Sequence, residues 1–156
     1  MIDTASRIAR LPRSPRRRAF VLAHLALLLP LGVSADTYGD YTYTVSGGEA
    51  TITGYSGPGG TVSIPSTIGL GNYPVTAIGN EAFYECTSLT AVTIPSSVTN
   101  IGYNAFYKCT SLTAITVSGS NPEYTGLDGI LFNKNCTTLL RCPCRFSGSY
   151  AIPASV

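Results

Sequence analysis

Residues 78–93 read IGNEAFYECTSLTAVT and residues 101–116 read IGYNAFYKCTSLTAIT. Twelve of the sixteen aligned positions are identical, at a spacing of 23. A fixed period in the low twenties predicts a solenoid of stacked turns, in which no turn buries its apolar face alone and its neighbours supply the cover. Leu89-x-x-Val92-x-Ile94 and Leu112-x-x-Ile115-x-Val117 close each copy with alternating apolar positions, the mark of a short strand with one buried face. Such strands stack about 4.8 Å apart as a parallel sheet along one side. Pro95 ends the first of them, because it has no N–H to give to a ladder. The pieces GNEAF (79–83) and GYNAF (102–106) are too short for an isolated helix. They are expected to form short helical turns or loops on the other side. Ile78, Ala82, Phe83 and Leu89 should then stack on Ile101, Ala105, Phe106 and Leu112.

Working outward, the copies become less regular. Cys136-Thr137-Thr138-Leu139 matches the Cys-Thr-Ser-Leu of 86–89 and 109–112, but at a spacing of 27, so four residues are inserted. Tyr150-Ala151-Ile152-Pro153 matches the strand end at Ile94-Pro95, as does Val62-Ser63-Ile64-Pro65 upstream. Residues 36–60 show no copy and are expected to form a hairpin-like β cap, so that 36–77 hold the cap and first strand and 78–156 the repeats. Gly and Pro recur every few residues, as in TGYSGPGG (53–60), and short β-branched runs lie between them. That alternation is β-rich rather than helical. After Val156 no polar cap is visible, and a repeat array needs one. The array is therefore expected to be truncated, or to leave its last turn exposed.

These residues resemble the BspA-like leucine-rich repeats of bacterial surface proteins. The resemblance is carried by Ile78-Gly79-x-x-Ala82-Phe83-x-x-Cys86-x-x-Leu89-x-x-Val92-x-Ile94-Pro95 and its copy from Ile101. It extends to a variant unit in Asp128-Gly129-Ile130-Leu131-Phe132, Thr138-Leu139-Leu140 and Tyr150-x-Ile152-Pro153. Arg141-Cys142-Pro143-Cys144 departs from it, since Tyr-Pro is more usual there. The resemblance implies a β-rich leucine-rich repeat solenoid acting in extracellular adhesion or protein binding, with no shared catalytic centre and no cofactor. Fold-level analogy carries function only weakly.

The net charge of +2 is the sum of two unlike segments. Residues 1–35 hold six arginines against Asp3, whereas residues 36–156 hold four basic and seven acidic residues. The body is mildly acidic, so a basic phosphate-binding patch, and with it a nucleic acid partner, is not expected. Residues 1–35 run from arginine-rich to apolar (Phe20 to Leu31) to small (Val33-Ser34-Ala35), the order of a secretory signal peptide cut after Ala35. The apolar run is short of the roughly 20 residues that span a bilayer. Arg17-Arg18 also resembles a twin-arginine signal. Either route places the body outside the cytoplasm, secreted or on the cell surface. Membrane contact is then expected only through the leader or through an anchor beyond Val156.

The only histidine, His24, lies in the leader, so the body cannot run a Ser-His-Asp or Cys-His mechanism. No catalytic residue, metal or cofactor is expected. Cys86, Cys109 and Cys136 occupy one repeat position and read as small buried residues, or as neighbours close enough to bridge. Cys142 and Cys144 stand off that register. A disulfide from one of them to Cys136, or to another chain, remains open. Binding must be argued from geometry. Thr93 and Thr116 should face outward between buried strand positions, with Thr90 and Thr113 just before them and Ser63 as a third row. Tyr84 and Tyr107 repeat on the outer turn, where Glu85 should lie opposite Lys108. Tyrosine is enriched at recognition surfaces, although threonine also simply suits an exposed strand. These residues are the candidate site for a protein ligand, such as extracellular matrix or another cell surface. The alternatives are a carbohydrate-binding or accessory module of a larger secreted protein, and a non-functional gene fragment.

Overall fold

The β-branched runs become strands, and no helix occurs among the described residues. The computed structural model describes residues 34–147 and 149–156, so nearly all of the expected leader lies outside the described residues. β1 (Ala35–Tyr38) starts at the residue after which export cleavage is expected. It pairs antiparallel with β2 (Tyr41–Ser46), which pairs antiparallel with β3 (Glu49–Tyr55). Gly47 and Gly48 make the second of these turns, both at positive φ, a region that glycine enters without a Cβ clash.

β3 then changes its mode of pairing. Its other edge runs parallel to β6 (Tyr73–Ile78), with Ala50 opposite Val75 and Ile52 opposite Ile78. β6 continues in parallel to β8 (Asn100–Ile101), with Ile78 opposite Ile101. Residues 49–55 lack the repeat in sequence, yet they stand as the first strand of this ladder. β5 (Thr67–Ile68) adds an antiparallel partner to β6. A second parallel ladder consists of β4 (Gly60–Ser63), β7 (Leu89–Ile94) and β9 (Ala114–Val117). Its register sets Val62, Val92 and Ile115 in one row, and Ser63, Thr93 and Thr116 in the next.

Between the ladders, where the repeat predicts a helical turn, the chain makes linked β-turns instead. Glu81 and Glu85 have φ of 57° and 56°, and their counterparts Asn104 and Lys108 have 54° and 58°. A left-handed residue at every fourth position cannot continue a right-handed helix. The hydrogen bonds explain what this conformation gains. The amides of Ala82, Tyr84 and Cys86 close turns onto the carbonyls of Gly79, Glu81 and Phe83. The alternate amides, of Glu81, Phe83 and Glu85, point out of the turn and donate to Tyr103, Ala105 and Tyr107 at 3.0, 2.8 and 3.0 Å. A helix would spend those amides internally and leave the next turn unbound. Gly102 permits the close stacking, since a Cβ there would stand 2.5 Å from the amide nitrogen of Asn80.

The core is a set of columns along the stack. Ile78, Ala82, Phe83 and Leu89 are fully or almost fully buried, as are Ala105, Phe106 and Leu112, and Ile101 is half-buried. One column is aromatic: Tyr41, Tyr55, Phe83 and Phe106 follow one another at ring separations of 5.3, 5.2 and 5.2 Å. Stacked pairs at such spacing add about 0.5–1.5 kcal/mol each beyond their buried area.

The third unit departs from the expected repeat. β10 (Tyr124–Leu127), β11 (Ile130–Asn133) and β12 (Leu139–Arg141) form an antiparallel meander. Ile130, Leu131 and Phe132 are buried in it, and the Ile115 amide donates to the Gly129 carbonyl at its first turn. Cys136 is drawn into the tight turn between β11 and β12 at φ 53°, out of the register of Cys86 and Cys109. The four inserted residues are what allow the chain to double back. Tyr150–Pro153 forms no strand, and Ile152 is exposed.

Candidate binding surface

The threonine face lies on the second ladder. Thr90, Thr113 and Thr116 are exposed and Thr93 is half-buried, beside exposed Thr61 and Ser63. Their hydroxyls are largely committed to the fold. Thr113 donates to the Thr90 carbonyl at 2.8 Å, and Thr116 donates to the Val92 carbonyl at 3.2 Å. With its proton used, Thr116 Oγ1 can only accept from Thr93 Oγ1, 3.3 Å away. On this polar face the hydroxyls of Thr93, Thr113 and Thr116 are bonded within the fold.

The tyrosine ridge lies on the linked turns and is built differently. Tyr84 and Tyr107 are 37% and 41% exposed, with ring centroids 5.9 Å apart. Lys108 Nζ donates to the Tyr84 hydroxyl at 2.9 Å and to Glu85 Oε1 at 2.7 Å, so the ion pair expected from the repeat is formed. The same ammonium stands 5.1 Å from the Tyr84 ring centre, and the Arg141 guanidinium 5.8 Å from that of Tyr107. The lysine hydrogen bond, and then that of Tyr84, holds the Glu85 carboxyl below its usual range. Two rings are thus held in place by two cations, while the Tyr107 hydroxyl has no partner among the described residues.

The cysteines divide as the register does. Cys109 is buried, and its thiol donates to the Phe83 carbonyl at 3.0 Å. Cys86 reaches the Tyr55 carbonyl more loosely, at 3.9 Å. Burial, with the neighbouring Cys86, pushes the Cys109 thiol up to about 11, and burial also raises that of Cys86. In the next layer the corresponding acceptor, the Phe106 carbonyl, receives Arg141 Nη2 at 2.8 Å rather than a thiol. Cys136 is half-buried and Cys142 and Cys144 are exposed, and all three are free thiols here. Among the described residues no cluster of three or more His, Cys, Asp or Glu is placed to hold a metal ion.

Asn121 was not singled out by the sequence reading, although Asn121-Pro122 is a turn signal. It is the one buried polar residue among the described residues. Its Nδ2 donates to the Pro95 and Val98 carbonyls, both at 2.8 Å. Its Oδ1 accepts from the Glu123 and Tyr124 amides at 2.9 and 2.8 Å. It ties the second layer to the meander.

The model of the BspA type leucine-rich repeat region matches residues 62–141, in six copies. The chain belongs to this family. The chain is also similar to solved structures. A leucine-rich cell surface protein from Faecalibacterium prausnitzii A2-165 is 40% identical over 58% of this chain and 25% of its own, with a TM-score of 0.53. A leucine-rich repeat protein from Bacteroides capillosus is 40% identical over 55% of this chain and 66% of its own, with a TM-score of 0.49. A T. pallidum leucine-rich repeat protein is 37% identical over 53% and 38%, with a TM-score of 0.47. This chain therefore spans about a quarter of the length of the first of these. No curated protein matches the sequence. Leucine-rich repeats of this type present extended surfaces suited to protein binding, and that coarse role comes with the family.

Proposed function

We propose that this BspA-type chain is exported and serves as a surface adhesion or protein-interaction module, with the Tyr84–Tyr107 ridge as its anchor. The observation that carries this is the immobilisation of both rings by Lys108 and Arg141. A partly exposed aromatic held before binding loses little conformational entropy on complex formation, the usual property of an interface hot spot. In this reading the threonine face (Thr90, Thr93, Thr113, Thr116) adds polar contacts on the second ladder. Export is supported by the leader-like order of residues 1–35 and by the surface location of the F. prausnitzii relative. In this reading the two ladders are two faces of one solenoid, each turn giving a strand to each, and β1 and β2 cover its first turn. Neither catalysis nor a cofactor is part of the proposal. The free thiols of Cys136, Cys142 and Cys144 leave a bridge in an oxidising compartment open to the same chain or to another.

Two tyrosine rings inclined at 31° also suit a sugar face, which favours a carbohydrate-binding module as the second reading. Residues 36–156 and a Y84A/Y107A variant, applied in parallel to immobilised matrix proteins and to a glycan array, separate the two. Matrix-protein binding lost in the variant supports the proposal. Glycan binding alone replaces it with the second reading. No binding to either surface, with aggregation, favours a gene fragment.

A further inference from the structure

The first set of linked turns, residues 79–86, spends three amides, those of Glu81, Phe83 and Glu85, on carbonyls of the set that follows. The second set repeats this geometry 23 residues on, down to the left-handed Asn104 and Lys108. Its equivalent amides, of Asn104, Phe106 and Lys108, have no hydrogen-bond partner among the described residues. The chain does not supply them because β10 to β12 double back as a meander instead of laying down another set of turns. Between Gly102–Phe106 on one wall and Leu131, Leu140 and Arg141 on the other lies a cleft of about 300 Å³. No carboxylate lines it. Arg141 Nη2 is bound to the Phe106 carbonyl, but its Nε is buried without a partner. Leu140 is 43% exposed at the rim.

We propose that this cleft binds an extended peptide segment that carries an acidic side chain. The preceding layer shows what satisfies such a row of donors, namely carbonyls at alternate residues of a neighbouring chain segment, at 2.8 to 3.0 Å. An extended peptide presents carbonyls with the same alternation, as when a strand is added to a sheet edge. The guanidinium, bonded through Nη2 alone and with no carboxylate beside it, calls for an anionic group. The exposed Leu140 supplies an apolar contact for a flanking side chain. The site shares Arg141 with the tyrosine ridge, but it uses the backbone donors of residues 104–106 and does not depend on the ridge acting as an anchor.

The test is a titration of the full, 15N-labelled chain with two blocked pentapeptides, acetyl-Ala-Asp-Leu-Asp-Ala-amide and its Asn-for-Asp counterpart. The amide signals of Asn104 and Phe106, which line the cleft, should move saturably, with the acidic peptide binding about tenfold tighter, the effect of one charge-assisted hydrogen bond. Leu140→Glu adds a repelling carboxylate at an already exposed position. It should weaken the acidic peptide about tenfold while the rest of the spectrum stays in place. Shifts confined to the Tyr84–Tyr107 ridge, equal affinity for both peptides, or an indifferent Leu140→Glu would each overturn the proposal. Because the readout is residue by residue, a silent tyrosine ridge and a silent cleft are told apart.

Discussion

The thiol of Cys109 donates to the carbonyl of Phe83 across 3.0 Å, joining layers 26 residues apart in sequence. The cysteine is therefore more than a small apolar filler. It gives a second donor to a carbonyl that already closes a turn with the Cys86 amide. Cys109→Ala should destabilise the chain by about 1 kcal/mol, because the buried Phe83 carbonyl loses the shorter of its two hydrogen bonds. Cys109→Ser should recover part of that loss in urea denaturation. A thiol-reactive chromophore should label Cys142 and Cys144 within the dead time, and Cys109 only when denaturant is added.

Asn121 makes four hydrogen bonds from a buried position. Asn121→Ala strands the Val98 carbonyl and two amides and leaves the Pro95 carbonyl only a long bond from the Val98 amide, and should cost at least about 2 kcal/mol. Asn121→Asp keeps the acceptor but sets a carboxylate against the Pro95 and Val98 carbonyls, so it should be no better. A urea midpoint for the Asp variant close to that of the parent chain would mean that the two donated bonds matter little.

The left-handed conformation of Glu81 makes an opposite prediction. Glu81→Gly removes a Cβ where a Cβ is unfavourable and should stabilise by about 1 kcal/mol. Glu81→Val places a β-branched side chain there and should destabilise by a similar amount or more. If both variants melted with the parent, the strain would be absent.

Alkaline stability follows from the buried acids. The Cys109 thiol stands at about 11, raised by burial and then by Cys86, and the Tyr41 hydroxyl at about 12, raised by burial and then by Tyr55 and Asp40. In the unfolded chain these groups ionise at about 8.5 and about 10. Above the lower values the native state still holds protons that the unfolded state has released, so stability falls as pH rises. The denaturation midpoint should decline from about pH 9 upward, and the slope between about 9 and 11 should be shallower in Cys109→Ala. At the acid end Glu85 acts in the opposite sense. Its carboxyl is lowered by Lys108, so its contribution is present above the ordinary glutamate range and disappears as pH falls through the native value.

The columns of the core were legible in the sequence because stacking forces like onto like: Ile78 on Ile101, Phe83 on Phe106, Thr93 beside Thr116. The Glu85–Lys108 pair was legible for the same reason. The linked turns were not. Five residues of amphipathic pattern do not reveal the sign of φ, and only Asn104 among the four left-handed residues is of a type that favours it. Nor was the place of β3, because parallel pairing with β6 is made by backbone groups and asks of the side chains only that Ala50 and Ile52 be apolar. The exchange of a cysteine for Arg141 at the Phe106 carbonyl was hidden by the four-residue insertion, which breaks the register on which the comparison relied.

The bonds of both parallel ladders run in the direction in which one layer follows the next. Tension along that direction does not shear a whole sheet at once. It loads the junction between two layers and opens that junction first, as a zip opens. Each layer released between Ile78 and Ile101 pays out 23 residues, about 75 Å of extended chain. Under a steady pull the molecule should therefore lengthen in discrete steps well before it breaks, a useful habit in anything that tethers two surfaces in moving fluid.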